Sequence, residues 1–250
     1  MIEHSLQKLE AGVFLIDKPA GISSFGVVSR MRRILGLKKV GHAGTLDPFA
    51  TGLLIICAGR PATKLISRFM EGEKEYLATL LLGEETETLD TEGEITSRIP
   101  VGNIPALKIE SCLRTFEGIQ MQVPPAYSAL KHKGKPLYYY ARKGIQITKE
   151  PRQIEISIVE RIDDGIDLSG DTAELGIRVV CSKGTYIRTL ASDIGKSLGC
   201  GAHLKQLRRT KSGCFSVDDS LSWRDLDATG AFDRCIGKML SVEQVCKMLQ

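Results

Sequence analysis

Hydrophobic positions along the chain fall into short blocks of two kinds. Val13 to Ile16 is an apolar run stopped by Lys18-Pro19, which predicts a strand followed by a turn. Ser23-Ser24 offer N-caps to a helix carrying Val27, Val28, Met31 and Ile34 at helical spacing. Val40 to Gly52 is rich in Gly, Thr and Pro without apolar periodicity, and is expected to be a loop. Leu53 to Cys57 is a continuous apolar run, expected as a buried strand. Ala62 to Met70 predicts a short helix and Tyr76 to Leu82 another strand.

The second half continues the alternation. Ile104 to Phe116 suits a helix. Gln153 to Val159 and Leu175 to Cys181 read as strands, and Ile187, Leu190, Ala191, Ile194 and Leu198 form a helical stripe. Leu204 to Phe215 ends in strand-like residues, and two short helical pieces close the chain. Strands and helices alternate without strict βαβ regularity. The expected fold class is therefore α+β, with a mixed, largely antiparallel sheet flanked by helices, in one domain over residues 1–250. Pro124-Pro125 and Pro151 bracket an inserted excursion, about residues 124–152.

Charge changes this picture. The net charge is only +4, yet Lys131 to Arg152 holds seven Lys or Arg against the single acid Glu150. A second basic run, Lys205, Arg208, Arg209 and Lys211, contains no acid. The counterweight is Glu84 to Glu94, with six acids and no base. Concentrated positive patches inside a near-neutral total are the form expected of a surface that follows phosphates.

Seven scattered cysteines without a C-x-x-C pair argue against disulfides and against a zinc site, and fit a reducing, cytoplasmic compartment. His42, His132 and His203 lie at no ligand-like spacing, so no metal is expected. Met1 to Gly12 has no apolar signal core, and no apolar run approaches the ~18 residues of a membrane span.

The chemistry concentrates in Gly41-His42-Ala43-Gly44-Thr45-Leu46-Asp47-Pro48-Phe49-Ala50-Thr51-Gly52. One carboxylate, Asp47, stands between glycines that permit close backbone approach and a proline that stiffens the turn. Asp-Pro is also an ordinary turn initiator. The segment has no Gly-Lys-Ser/Thr ending and no Gly-x-Gly-x-x-Gly, so it is not a phosphate loop. No nucleophile elbow supports a Ser-His-Asp hydrolase. A glycosidase would need a second carboxylate; Asp17 and Asp90 qualify by type but not by spacing.

This loop resembles the catalytic loop of the TruB family, the bacterial tRNA pseudouridine-55 synthases. The resemblance extends over five further stretches. Asp17-Lys18-Pro19-Ala20-Gly21-Ile22-Ser23-Ser24 resembles the family's N-terminal motif, and Lys74-Glu75-Tyr76 its tyrosine motif. Pro125-Ala126-Tyr127-Ser128-Ala129-Leu130-Lys131 resembles its RNA-binding insert. Cys181 to Leu190 and Gly201 to Thr210 are similar to later motifs. The chain looks like a short form, without the C-terminal PUA domain that many bacterial members carry.

The resemblance implies isomerisation of uridine 55 in the tRNA T-loop. The N1 glycosidic bond breaks, the base turns, and C5 takes its place; nothing is oxidised or reduced, so no cofactor is implied. Asp47 would be the catalytic carboxylate, as nucleophile or as base. Arg188 would pair with it, Tyr76 would stack on the uracil as candidate acceptor of the C5 proton, and Tyr186 and Leu207 would line the pocket. His42 would fill the space left by the flipped base, whose unstacking costs a few kcal/mol. RNA contacts are implied for Lys18, Lys131, Lys133, Arg142, Lys143, Arg208 and Arg209. The expected partner is the T-loop and stem of tRNA, bound by a monomer with no protein partner and no membrane. The alternatives are a tRNA-binding or folding chaperone without chemistry, and a synthase acting on another RNA.

Overall fold

The computed structural model describes residues 9–128, 130–145, 147 and 149–250. The expectation for the first eight residues, and Ala129 of the insert motif, lie outside the described residues. The chain divides into two compact units: Met1–Gly72 with Thr210–Gln250, and Glu73–Arg209.

The first unit begins with β1 (Gly12–Lys18), α1 (Ser24–Leu35), β2 (Val40–Ala43), β3 (Thr51–Ala58), α2 (Gly59–Thr63) and α3 (Ile66–Glu71). β3 is antiparallel to both β1 and β2, pairing Leu15 with Ile55 and His42 with Ile56. Its sheet is buried on both faces. Phe14, Ile16, Leu54 and Ile56 meet Val27, Val28 and Met31 of α1; Val13, Leu15, Leu53 and Ile55 meet Ala62, Phe69 and Val245. Double burial explains why these strands read as unbroken apolar runs rather than alternations. Ser23 caps α1 by accepting from Gly26 N, and Gly36 ends it at φ 64.

Two expectations in this unit are corrected. Part of the expected loop Val40 to Gly52 is the strand β2, whose pairing is made by backbone groups that leave no mark in side-chain periodicity. The helix expected over Ala62 to Met70 is two short pieces, broken between Thr63 and Ile66.

The second unit holds β4 (Lys74–Leu82), β5 (Glu84–Thr86), β6 (Ile95–Arg98), β7 (Val101–Ile104), α4 (Ala106–Arg114), β8 (Gly118–Gln122), β9 (Lys131–His132), β10 (Lys135–Pro136), α5 (Leu137–Ala141), β11 (Arg152–Arg161), β12 (Leu168–Gly170), β13 (Ala173–Cys181) and α6 (Ile187–Leu198). Its sheet runs β4-β13-β11-β8, every neighbour antiparallel. β4 alternates strictly, burying Lys74, Tyr76, Ala78, Leu80 and Leu82, as a strand with one covered face must. α4 contacts β11, and α6 contacts both β4 and α4, so the two helices supply that cover. The helix expected over Ile104 to Phe116 starts later, because Pro105 ends β7 and serves as N-cap of α4.

The chain then passes through β14 (Ala202–Ser212) and β15 (Phe215–Ser216) into α7 (Trp223–Asp227), α8 (Ala231–Gly237) and α9 (Val242–Met248). Three helices close the chain where two were expected. Two of them start at a Ser capping box, Ser222 with Asp225 and Ser241 with Gln244. The fold is α+β, as its sequence pattern implies.

Candidate active site

In the first unit the Asp47 loop is held from below. Ser24 Oγ accepts from the N–H of Leu46 and donates to the carbonyl oxygen of the same residue, each at 2.9 Å. Lys18 is completely buried, and its ammonium donates to the carbonyls of Pro19 (2.9 Å), Ile22 (2.7 Å) and Pro48 (3.1 Å). Gly21 N donates to Pro48 O at 2.8 Å, from a backbone at φ 81 that favours glycine. Thus the residues on either side of Asp47 are each bound to the Asp17-to-Ser24 turn. Asp47 is half-buried between them, and His42 is half-buried on β2.

Lys18, from which an RNA contact is expected, is engaged with the loop in this geometry. A fully buried ammonium with three carbonyl partners braces a loop. Arg209, also expected at the RNA, is 1% exposed, the largest of the fully buried side chains among the described residues. Its neighbour Arg208 is half-buried.

In the second unit Arg188, near the start of α6, is buried. Its Nη1 donates to Asp90 Oδ2 at 3.0 Å and to Thr88 O at 3.1 Å, and Nη2 donates to Tyr127 O at 2.8 Å. Asp90 in turn accepts from the Thr88 hydroxyl (2.5 Å) and Glu92 N (3.0 Å), while its own carbonyl accepts from the Thr86 hydroxyl (2.7 Å). Leu89, in this turn, is at φ 64, a left-handed conformation that a bulky side chain rarely adopts. The acidic stretch Glu84 to Glu94 therefore does more than balance charge: it folds into a tight turn that delivers Asp90 to Arg188. Sequence reasoning weighed Asp90 only as a glycosidase carboxylate. The T-x-T-x-D order of hydroxyls before it was the available signal for a side-chain-locked turn.

Tyr186, the N-cap of α6, is fixed by a second residue missed in the sequence. Gln122 is 6% exposed; its amide accepts from Tyr186 N (2.8 Å) and donates to Tyr186 O (3.1 Å). Gln122 thus pairs with Tyr186 as a strand neighbour would. Tyr76 and Leu207 are buried at 9% and 8% exposure.

The basic insert is a small folded body. β9 and β10 pair across a turn at Lys133 (φ 46) and Gly134 (φ 82), and α5 follows. Lys131, Lys133, Arg142 and Lys143 are all exposed on it. Cations sit over tyrosine rings: Lys135 Nζ 4.3 Å and Lys143 Nζ 4.6 Å from the Tyr139 centroid, and Arg142 Cζ 5.6 Å from that of Tyr138. Hydrogen bonding to Lys143 and Lys135 pulls the Tyr139 phenol down to about 8.

Comparison with known proteins decides the family. A family model described as TruB family pseudouridylate synthase (N terminal domain) matches residues 32–187, and one described as tRNA pseudouridylate synthase B C-terminal domain matches residues 188–241. The chain belongs to the TruB family. Among TruB relatives, tRNA pseudouridine synthase B of Desulfotalea psychrophila is 67% identical over 244 residues, 98% of this chain and 99% of its own. That of Bordetella pertussis is 50% identical over 219 residues, 87% of each chain. Among solved structures, the crystal structure of a Cbf5-Nop10-Gar1 complex matches with a TM-score of 0.70 and 29% identity. That match covers 95% of this chain and 62% of the other, so this chain spans less than two thirds of the length of that neighbour. Among the described residues no group of three or more His, Cys, Asp or Glu could hold a metal ion, and no helix is long and apolar enough to cross a membrane.

Proposed function

We propose that this chain converts uridine to pseudouridine in tRNA, at position 55 of the T-loop, with Asp47 as the catalytic carboxylate. The observation that carries this reading is the 67% identity to a tRNA pseudouridine synthase B along nearly the full length of both chains. The reaction is an isomerisation. The C1′–N1 bond breaks, a C1′–C5 bond forms, C5 gives up a proton and N1 gains one, so no oxidant and no cofactor enters the balance. Asp47 acts on the ribose or the base, as nucleophile or as base, from a loop pinned by Ser24 and Lys18. A pinned loop suits this work, since a catalytic carboxylate must keep its place while the base turns.

Arg188 supplies positive charge that offsets the carboxylate, Tyr76 stacks on the uracil and takes the C5 proton, Tyr186 and Leu207 line the pocket, and His42 takes the place of the flipped base in its stack. The exposed cations Lys131, Lys133, Arg142 and Lys143, interleaved with tyrosines, contact the phosphates and unstacked bases of the T-loop. The enzyme works in the cytoplasm as a monomer and as one functional domain.

The test is tritium release from tRNA transcripts labelled at uridine C5. Wild type releases tritium; Asp47→Ala does not, and a transcript with cytidine at position 55 gives none with either. Tight tRNA binding without release by wild type would leave a tRNA-binding or folding protein. Release from another RNA but not from tRNA would move the substrate.

A further inference from the structure

From Lys18 to Leu46 the chain carries six cations, Lys18, Arg30, Arg32, Arg33, Lys38 and Lys39, and no carboxylate. Three are committed internally: Lys18 to its three carbonyls, Arg30 to the carbonyl of Leu226 (2.7 Å) and the carboxylate of Asp227 (2.8 Å), and Arg32, whose Nη2 donates to the carbonyl of Val40 (2.9 Å). The others lie on or just beyond the outer side of α1. That helix buries Val27, Val28, Met31 and Leu35, so the positions one, two and a fraction turns apart at 25, 29, 32 and 33 form the opposite stripe. Phe25 opens this stripe and is 62% exposed. The Arg32 guanidinium covers it at 5.4 Å from the ring centroid, while Arg33, Lys38 and Lys39 are exposed beyond.

Helix electrostatics accounts for part of this. Cations in the last turn stabilise a helix through its dipole, which covers Arg32 and Arg33. It covers neither Lys38 and Lys39, past the C-cap Gly36, nor an exposed phenyl ring at the first turn. A ring backed by a guanidinium and followed by exposed positive charge is the arrangement that takes an unstacked base and tracks its backbone. The stripe also starts at the catalytic loop, because Ser24, the neighbour of Phe25, holds Leu46, the neighbour of Asp47.

We infer that the outer face of α1, from Phe25 through Arg32 and Arg33 to Lys38 and Lys39, is a second RNA-contact surface. It binds substrate RNA flanking the target nucleotide, with one unpaired base on Phe25 and phosphates along Arg33, Lys38 and Lys39. This rests on the reading of tRNA as substrate, and it adds to the exposed insert a surface on the first unit.

The experiment measures dissociation constants for one tRNA transcript by filter binding across 50–200 mM salt, roughly the range in which phosphate contacts weaken. Wild type is compared with Arg33→Glu/Lys38→Glu, Phe25→Ser and Phe25→Trp, each checked by thermal melt. The double reversal is expected to weaken binding by about tenfold or more and to flatten the salt slope by about two. Phe25→Ser is expected to weaken binding at least about fivefold with the slope unchanged, as loss of one stacked base does, and Phe25→Trp to restore it. Wild-type binding and slope in all variants overturn the inference, whatever the tritium assay gives. Loss on charge reversal with indifference to Phe25→Ser marks a general polyanion surface and overturns it too. Dependence on both, with no tritium release by wild type, keeps the surface and discards the substrate reading instead.

Discussion

Asp90 Oδ2 lies 3.0 Å from Arg188 Nη1, and both side chains are nearly sealed from water, at 2% and 6% exposure. The two residues are 98 positions apart in sequence. The pair explains how a guanidinium is kept charged and aimed inside the protein: each polar group of Arg188 described above has an oxygen, and each oxygen belongs to a turn fixed by other bonds. Removing Asp90 takes away the buried anion that Arg188 Nη1 meets. Asp90→Ala is therefore expected to destabilise the protein by about 3–5 kcal/mol, measured by urea unfolding, and to abolish tritium release. Unchanged stability would mean that Arg188 finds another anion.

Lys18 is a brace by its geometry, and its removal should behave accordingly. Lys18→Met removes one donor from three carbonyl oxygens, of which Pro48 O keeps Gly21 N, so stability falls by about 1–3 kcal/mol and the Asp47 loop loosens. Turnover should drop while the salt slope of tRNA binding stays at the wild-type value. A slope reduced by about one would instead identify Lys18 as a phosphate contact.

Gln122 offers a test with a pH signature. Gln122→Glu keeps an acceptor for Tyr186 N but sets an ionised oxygen against Tyr186 O. Protonated, the new carboxyl can donate to that carbonyl, so its folded-state pKa lies above the unfolded value near 4.3. Its stabilising bond is then present at low pH and lost as pH rises through the folded pKa. The variant should be closest to wild type in stability at about pH 4–5 and fall behind toward neutrality, read by denaturant midpoints across pH.

Tyr139 should titrate within the working range. Lys143 and Lys135 stabilise its phenolate, pulling it down to about 8, and Tyr139 in turn holds the Lys135 ammonium up. Phenolate absorbance should rise with a midpoint near about 8 and move back toward 10 in Lys135→Ala/Lys143→Ala. Deprotonation adds one negative charge to the insert, so tRNA affinity should weaken between pH 7 and 9 in wild type and not in Tyr139→Phe.

Burial separates the thiols. It pushes Cys57 up to about 12 and Cys181 and Cys235 up to about 11, whereas Cys214 is exposed. A thiol reagent at pH 8 should modify Cys214 rapidly in the native protein and reach the three buried sites only after denaturant is added. Rapid native labelling at Cys57 would show that the β1–β3 sheet opens.

Most strands and the two long helices were legible from side-chain period, because burial on one face or on both writes itself into the apolar pattern: Leu53 to Cys57, Tyr76 to Leu82 and Ile187 to Leu198 are examples. β2 was not, since backbone pairing to β3 makes it a strand. The candidate site divides in the same way. Asp47 stands in a loop whose glycine and proline content marks it, His42 on the strand β2 that leads into it, and Arg188 in a helix start that a motif marks. The partners that fix the site do not announce themselves: Ser24 looks like a helix cap, Lys18 like a surface charge, Asp90 like one acid of six, and Gln122 like a polar residue beside an insert.

The sequence by itself determined the elements and the chemistry available, because local period, turn residues and residue type are properties of neighbouring positions. Only the tertiary structure decided which polar groups are withdrawn from water and which oxygens meet them. That choice depends on chain segments tens of residues apart, and burying a charge is stable only where the fold supplies its partner: three carbonyls for Lys18, and a strained, hydroxyl-locked turn bearing Asp90 for Arg188.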